Sequence, residues 1–210
     1  YSLLSILPEK ETAKAAWAIP LSGKRVSLDT NGVDIASEQI QVAMSDSSLP
    51  WHKKFSVLVA DTAFSKRKFL VEQSEHNNLV VIARCRSNRV FYQSPPIEEL
   101  NKKRGCPKKY GERFDLGDAD TWHPPDETNL VQQTTRKGRA LNITIQAWHQ
   151  MLMRGTKHLK MYRHPFTLIR ISVTDDTNQT VWKPMWLIVV GEKREEISPP
   201  LAPVLPQTTI

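Results

Sequence analysis

The sequence predicts a mixed α/β fold whose sheet contains parallel crossovers. Three observations predict it. Residues 55–60 and 79–84 are apolar runs of strand length, the pattern of strands buried on both faces. Segments with helical spacing precede both runs. Residues 140–149 instead alternate: Leu141, Ile143, Ile145 and Ala147 face one way, and Asn142, Thr144 and Gln146 the other.

Each element has its own signal. Residues 1–7 read as a strand already under way, so an upstream piece is expected. Residues 15–21 form a second strand, closed by Pro20. Residues 33–44 place Val33, Ala36, Ile40 and Met44 on one helical face, with Asp34 or a neighbour as cap. Residues 45–52 are a polar turn region containing Pro50, and the strand at 55–60 ends at Asp61. Ser65 opens a short helix over 66–73 with Phe69 and Leu70 inward, followed by the buried strand at 79–84.

The character changes near residue 90. A short strand at 89–94 leads into a polar, basic stretch at 95–112 and a turn-rich one at 114–125. Residues 166–173 and 181–190 read as a hairpin around Asp175, Asp176, Thr177 and Asn178. The expected organisation is a core portion over 1–90, a β-rich insertion over 91–180, and a strand returning to the core over 181–197. A tail over 198–210 carries four of the 14 prolines and is expected to be irregular.

Composition narrows the function. The 210 residues are 40% hydrophobic and 24% charged, which excludes a wholly disordered chain. Lys and Arg number 29 against 22 Asp and Glu, a net charge of +7, with a pI near 9.5. That balance favours a polyanionic partner, nucleic acid or an anionic membrane surface. No apolar run approaches the roughly 18 residues of a membrane helix, so no membrane span is expected. No charged-then-apolar leader pattern is visible, and the sequons at Asn142 and Asn178 are read as chance. Two cysteines, Cys85 and Cys106, make neither a disulfide framework nor a metal cluster.

Asp61 is the foremost candidate site residue. A carboxylate just beyond a parallel strand lies at the carboxyl edge of the sheet, where ligands and metals gather. The other reading is a cap for the turn into the next helix. Two-metal phosphodiester cleavage needs several carboxylates, and nothing in the spacing brings Asp29 or Asp34 beside Asp61. Asp175 and Asp176 read as turn residues, and Glu192, Glu195 and Glu196 as a solvated segment. The basic loop at 102–113 offers Lys102, Lys103, Arg104, Lys108, Lys109 and Arg113 against one acidic residue, Glu112. Gly105 and Pro107 keep it extended, either along a phosphate backbone or as a solvated charged loop. It is similar to an AT-hook core, with Cys106 where the second Arg would be. The six histidines lack zinc-ligand spacing, and no Gly-rich phosphate loop or nucleophile elbow is present. Trp17, Trp182 and Trp186 are expected in the core.

Together these residues resemble a family. Val59-Ala60-Asp61-Thr62-Ala63-Phe64, then Phe69-Leu70, then Leu79 through Val90, look like the second-aspartate region of DDE transposases. The match is to bacterial insertion sequences related to the IS4 and IS701 families. Gly105 through Phe114 resembles a Gly-Arg-Pro-Arg-Lys-x-Gly-x-Arg-Phe segment of that group, and Pro184 through Val190 its returning strand. The resemblance implies an RNase H-like core interrupted by the β-rich insertion. It implies Mg²⁺-dependent DNA strand cleavage and strand transfer by an Asp-Asp-Glu triad, with Asp61 as second Asp and metal ligand. It implies DNA as partner, both transposon ends and target, with self-assembly left open, and a bacterial cytoplasmic, nucleoid-associated location. The first Asp belongs on a strand before Tyr1. The Glu belongs in a Tyr-x2-Arg-x3-Glu pattern. Tyr110 and Arg113 have the first spacing, but Gly117 stands at the Glu position. The chain thus looks like a middle segment truncated at both ends, or a non-catalytic DNA-binding derivative.

Overall fold

The computed structural model describes residues 1–7, 18–96, 106, 108–135 and 137–197. Among them are ten strands and two α-helices. The strands are β1 (Ser2–Ile6), β2 (Ile19–Lys24), β3 (Ser56–Ala60), β4 (Leu79–Cys85), β5 (Val90–Tyr92), β6 (Arg113–Asp115), β7 (Glu127–Thr134), β8 (Ala140–Met151), β9 (Phe166–Asp175) and β10 (Thr180–Val190). The helices are α1 (Gly32–Ser45) and α2 (Arg67–Ser74). The fold is mixed α/β. One six-stranded sheet runs β3-β4-β10-β9-β8-β7, flanked by the hairpins β1-β2 and β5-β6.

Strands β3 and β4 are parallel, joined through α2, and every other pairing is antiparallel. Strand β10 lies between β4 and β9, so the strands after residue 126 continue the same sheet. The hairpin β9-β10 turns through Asp175–Asn178 as its turn residues direct, with Asn178 at φ 61°. Gly191 ends β10 at φ 129°, and a Cβ there would lie 2.5 Å from the Leu79 carbonyl oxygen, so glycine is required at this crossing.

Alternation puts two apolar clusters on opposite faces of the sheet. One gathers Val81, Ala83, Trp148, Leu168, Trp186 and Ile188 with Ile40 of α1 and Phe69 and Leu70 of α2. The other gathers Val80, Ile82, Ile145, Ile169, Leu187 and Val189. On the first face Phe114, Trp122, Trp148 and Trp186 form an aromatic nest with centroid spacings of 5.2–6.3 Å. Arg170 stands over Trp122 and Trp186 at 5.2 and 5.9 Å and donates to Gln146 Oε1 at 2.9 Å. Cys85 is buried beneath this layer, and burial pushes its thiol up to about 12, so it is an inert core residue.

Several expectations are corrected. The run at 55–60 is not buried on both faces: among the described residues β3 is an edge strand paired only with β4, and Val57 and Val59 are 44% and 37% exposed. The cap of α1 is Asn31, whose Oδ1 accepts the Val33 N–H at 3.0 Å; Asp34 instead pairs with Lys68 at 2.9 Å. Ser65 is buried rather than a side-chain cap, and Lys66 precedes α2. Pro20 lies inside β2, which has β1 as its partner strand among the described residues, so its missing N–H is tolerated at the free edge. Trp186 is core, but Trp182 is half exposed. Trp17 and the tail at 198–210 lie outside the described residues. Among the described residues no helix is long and apolar enough to cross a membrane.

Candidate functional site

Asp61 follows β3 at the carboxyl end of the parallel pair. Its side chain caps a 3-10 turn over Thr62–Phe64, with Oδ1 accepting the Ala63 N–H at 2.8 Å. The residue is exposed, and Oδ2 has no partner among the described residues. The two readings left open by the sequence therefore coexist. One oxygen holds the turn, and the other faces outward at the sheet edge.

A groove of about 660 Å³ separates β3 from the β1-β2 hairpin, with Leu4, Ile40, Leu58, Asp61 and Phe69 among its lining. The hairpin is fastened to α1 by Gln39, 2% exposed, which accepts from Ser2 Oγ at 2.6 Å and donates to Ser22 Oγ at 2.8 Å. Strand β1 pairs with β2 and β3 with β4, and among the described residues neither strand pairs across the groove.

Carboxylates do not converge on Asp61. Among the described residues no group of three His, Cys, Asp or Glu side chains could hold a metal ion. Asp34 is held by Lys68, and Asp175 belongs to the β9-β10 turn. An Mg²⁺ ion binds through oxygen ligands in near-octahedral geometry, and a single exposed carboxylate does not fit that demand.

The turn after Asp61 is tied to the rest of the surface by Arg89, which the sequence did not single out. Its Nη1 donates to Ser65 O at 2.8 Å and Ser65 Oγ at 3.0 Å, and its Nη2 to Met153 Sδ at 3.8 Å. The guanidinium also lies 5.3 Å from the Phe91 centroid. Burial lowers its pKa, yet an arginine remains charged. One side chain thus joins the Asp61 turn, the start of β5 and the segment after β8.

Of the expected DNA-contacting residues, Lys102, Lys103 and Arg104 lie outside the described residues. Lys108 and Lys109 are exposed. Lys109 Nζ sits 5.2 Å from the Tyr162 centroid. Arg113 is engaged by Asp115 at 2.5 Å, which offsets its charge locally. Sequence reasoning also missed residues 153–165, which hold Arg154, Lys157, Lys160 and Arg163 and no Asp or Glu. That absence of acidic residues was the available signal.

Comparison with known proteins gives one result. A family model described as DDE superfamily endonuclease matches residues 7–155. No curated protein and no solved structure matches the chain significantly.

Proposed function

This chain belongs to the DDE superfamily of endonucleases, and from that premise we propose that it is part of a DNA transposase of the bacterial IS4- or IS701-related type, with Asp61 as one member of the catalytic carboxylate set. The observation that carries the reading is the position of Asp61, exposed beyond a parallel strand with one carboxylate oxygen unengaged among the described residues. The order β3, α2, parallel β4 beside it is compatible with an RNase H-like core. In this reading the remaining carboxylates come from segments that the described residues do not include. A strand lying in the groove between β1 and β3 would bring one beside Asp61.

DNA is the proposed substrate, contacted by Lys108 and Lys109 and by Lys102, Lys103 and Arg104 of the same loop. Arg113 is the weakest of the six for this role because Asp115 already holds it. Since no second carboxylate stands beside Asp61 among the described residues, the protein is expected to leave a supercoiled plasmid intact in Mg²⁺. The decisive experiment extends the protein with the sequence encoded on either side of its reading frame. Nicking by the longer protein that disappears in Asp61→Ala supports the assignment. Nicking that survives Asp61→Ala would leave Asp61 as a turn cap only.

The lack of a second carboxylate beside Asp61 among the described residues also favours a second reading, a DNA-binding protein without catalysis. It requires salt-dependent DNA binding that persists in Asp61→Ala.

A further inference from the structure

Three tyrosines and three cations meet on one surface. Tyr92 and Tyr110 have centroids 5.3 Å apart, and Tyr110 meets Tyr162 edge-on at 6.4 Å. Arg154 lies 5.3 Å from the Tyr92 centroid, and Lys109 and Arg163 lie 5.2 and 5.8 Å from that of Tyr162. All three rings are half-buried, so part of each meets solvent, while all three cations are exposed.

The pieces come from three separate segments and are held in place. Phe91 points into the core, which turns Tyr92 outward on β5. The Tyr110 hydroxyl accepts the Gly155 N–H at 3.1 Å. A Cβ on Gly155 would collide with the Leu159 carbonyl, so glycine shapes that loop.

Lys24, Lys68, Arg113, Arg139, Lys193 and Arg194 each have a carboxylate within 4.0 Å. Lys109, Arg154 and Arg163 have none among the described residues and are oriented by ring faces instead. A guanidinium lying against a ring keeps its in-plane N–H donors for an outside acceptor. Phosphate oxygens are such acceptors. Lys157 and Lys160 add two exposed charges in the same loop.

We propose that this tyrosine–cation shelf binds an unpaired DNA strand, with phosphates on Lys109, Arg154 and Arg163 and bases against the tyrosine rings. The proposal rests on DNA being the substrate, but not on Asp61 being catalytic. Duplex DNA offers phosphates, yet its base faces are covered by their own stack. Only an unpaired base presents a π-face to a ring. Tyr92 ends β5, three residues after Arg89, whose side chain donates to Ser65 in the turn that follows Asp61.

The test is fluorescence anisotropy of a labelled oligothymidylate and of a hairpin duplex, over a salt series. The oligothymidylate is expected to bind more tightly than the duplex. Tyr162→Leu should weaken single-strand binding about five-fold or more and leave duplex binding within about two-fold. Tyr162→Phe keeps the ring and should bind like the parent. Replacing Lys109, Arg154 and Arg163 together by Ala should reduce the single-strand salt slope by about 2, at roughly 0.7 per phosphate. Circular dichroism confirms that each variant is folded. Asp61→Ala should bind unchanged, which separates failure of the shelf from failure of the catalytic assignment. Equal loss on both DNAs with Tyr162→Leu, or an unchanged salt slope in the triple variant, would overturn the proposal. So would binding to phosphatidylglycerol vesicles with none to oligothymidylate.

Discussion

The two halves of the large sheet handle their aspartates differently. In the meander β7-β10, Asp175 ends β9 with its carboxylate fully engaged. Oδ1 accepts from the Thr177 N–H and hydroxyl and the Gln179 N–H, and Oδ2 from Arg139 at 2.9 Å. The Thr177 hydroxyl, then Arg139, hold the Asp175 carboxyl down at about 2. In the parallel half, Asp61 follows β3 with a single side-chain bond among the described residues. Both stand at strand ends in tight turns, and residue type does not distinguish them. The number of donors already facing the carboxylate does. Four donors make Asp175 a fastener, whereas Asp61 retains an oxygen for something else.

The contrast can be broken or sharpened by mutation, beginning where the two halves meet. Trp186 of β10 contacts Trp122, Trp148 and Phe114, and its strand pairs with β4 on one side and β9 on the other. Trp186→Ala should cost about 3–5 kcal/mol in urea unfolding. A loss under about 1 kcal/mol would mean that the halves do not share one core.

The Asp175 network should appear in the acid limb. A carboxyl depressed from 3.8 to about 2 adds stability that is complete above about 4 and lost as pH falls through about 2. Asp175→Asn should be less stable at neutral pH and lack that pH-dependent step. An acid-unfolding curve parallel to the parent's would refute the assignment.

Edge strand β3 should be tolerant. Val57→Lys and Val59→Lys are expected to change stability by no more than about 0.5 kcal/mol and to reduce aggregation, because both side chains are substantially exposed. A loss above about 1 kcal/mol would show that something covers this edge in solution. The smallest effect belongs to Asp61. Asp61→Ala removes one cap bond and should lower stability by under about 1 kcal/mol. A drop matching that of Asp175→Asn would abolish the distinction between the two aspartates.

Much of the fold was legible in local pattern. The alternation of residues 140–149 assigned both faces of β8, and Leu141, Ile145 and Ala147 are buried together. Phe69 and Leu70 point inward as expected, both 1% exposed. What failed depends on neighbours distant in sequence. An apolar run specifies a strand, but not how many strands flank it, so β3 looked like β4 although only β4 is covered on both sides. Of the site, Asp61 and its turn were readable because both lie within a few residues. Arg89 was not, since its role depends on Ser65 and Met153. Residues 102–113 stand out by density of charge, whereas at residues 153–165 the informative feature is a lack of acidic residues.

The pairing of β4 with β10 has a consequence during synthesis. Cys85 lies opposite Trp186, about a hundred residues later in the chain. At roughly 5–20 residues per second, a ribosome takes about 5–20 s to deliver the partner strand after β4 has emerged. Throughout that interval one side of the most apolar strand has no mate, and the loop to be closed is long. Nascent protein of intermediate length should therefore be the species most dependent on chaperones. Slowing translation between residues 86 and 180 should raise the insoluble fraction, while slowing it after residue 190 should not.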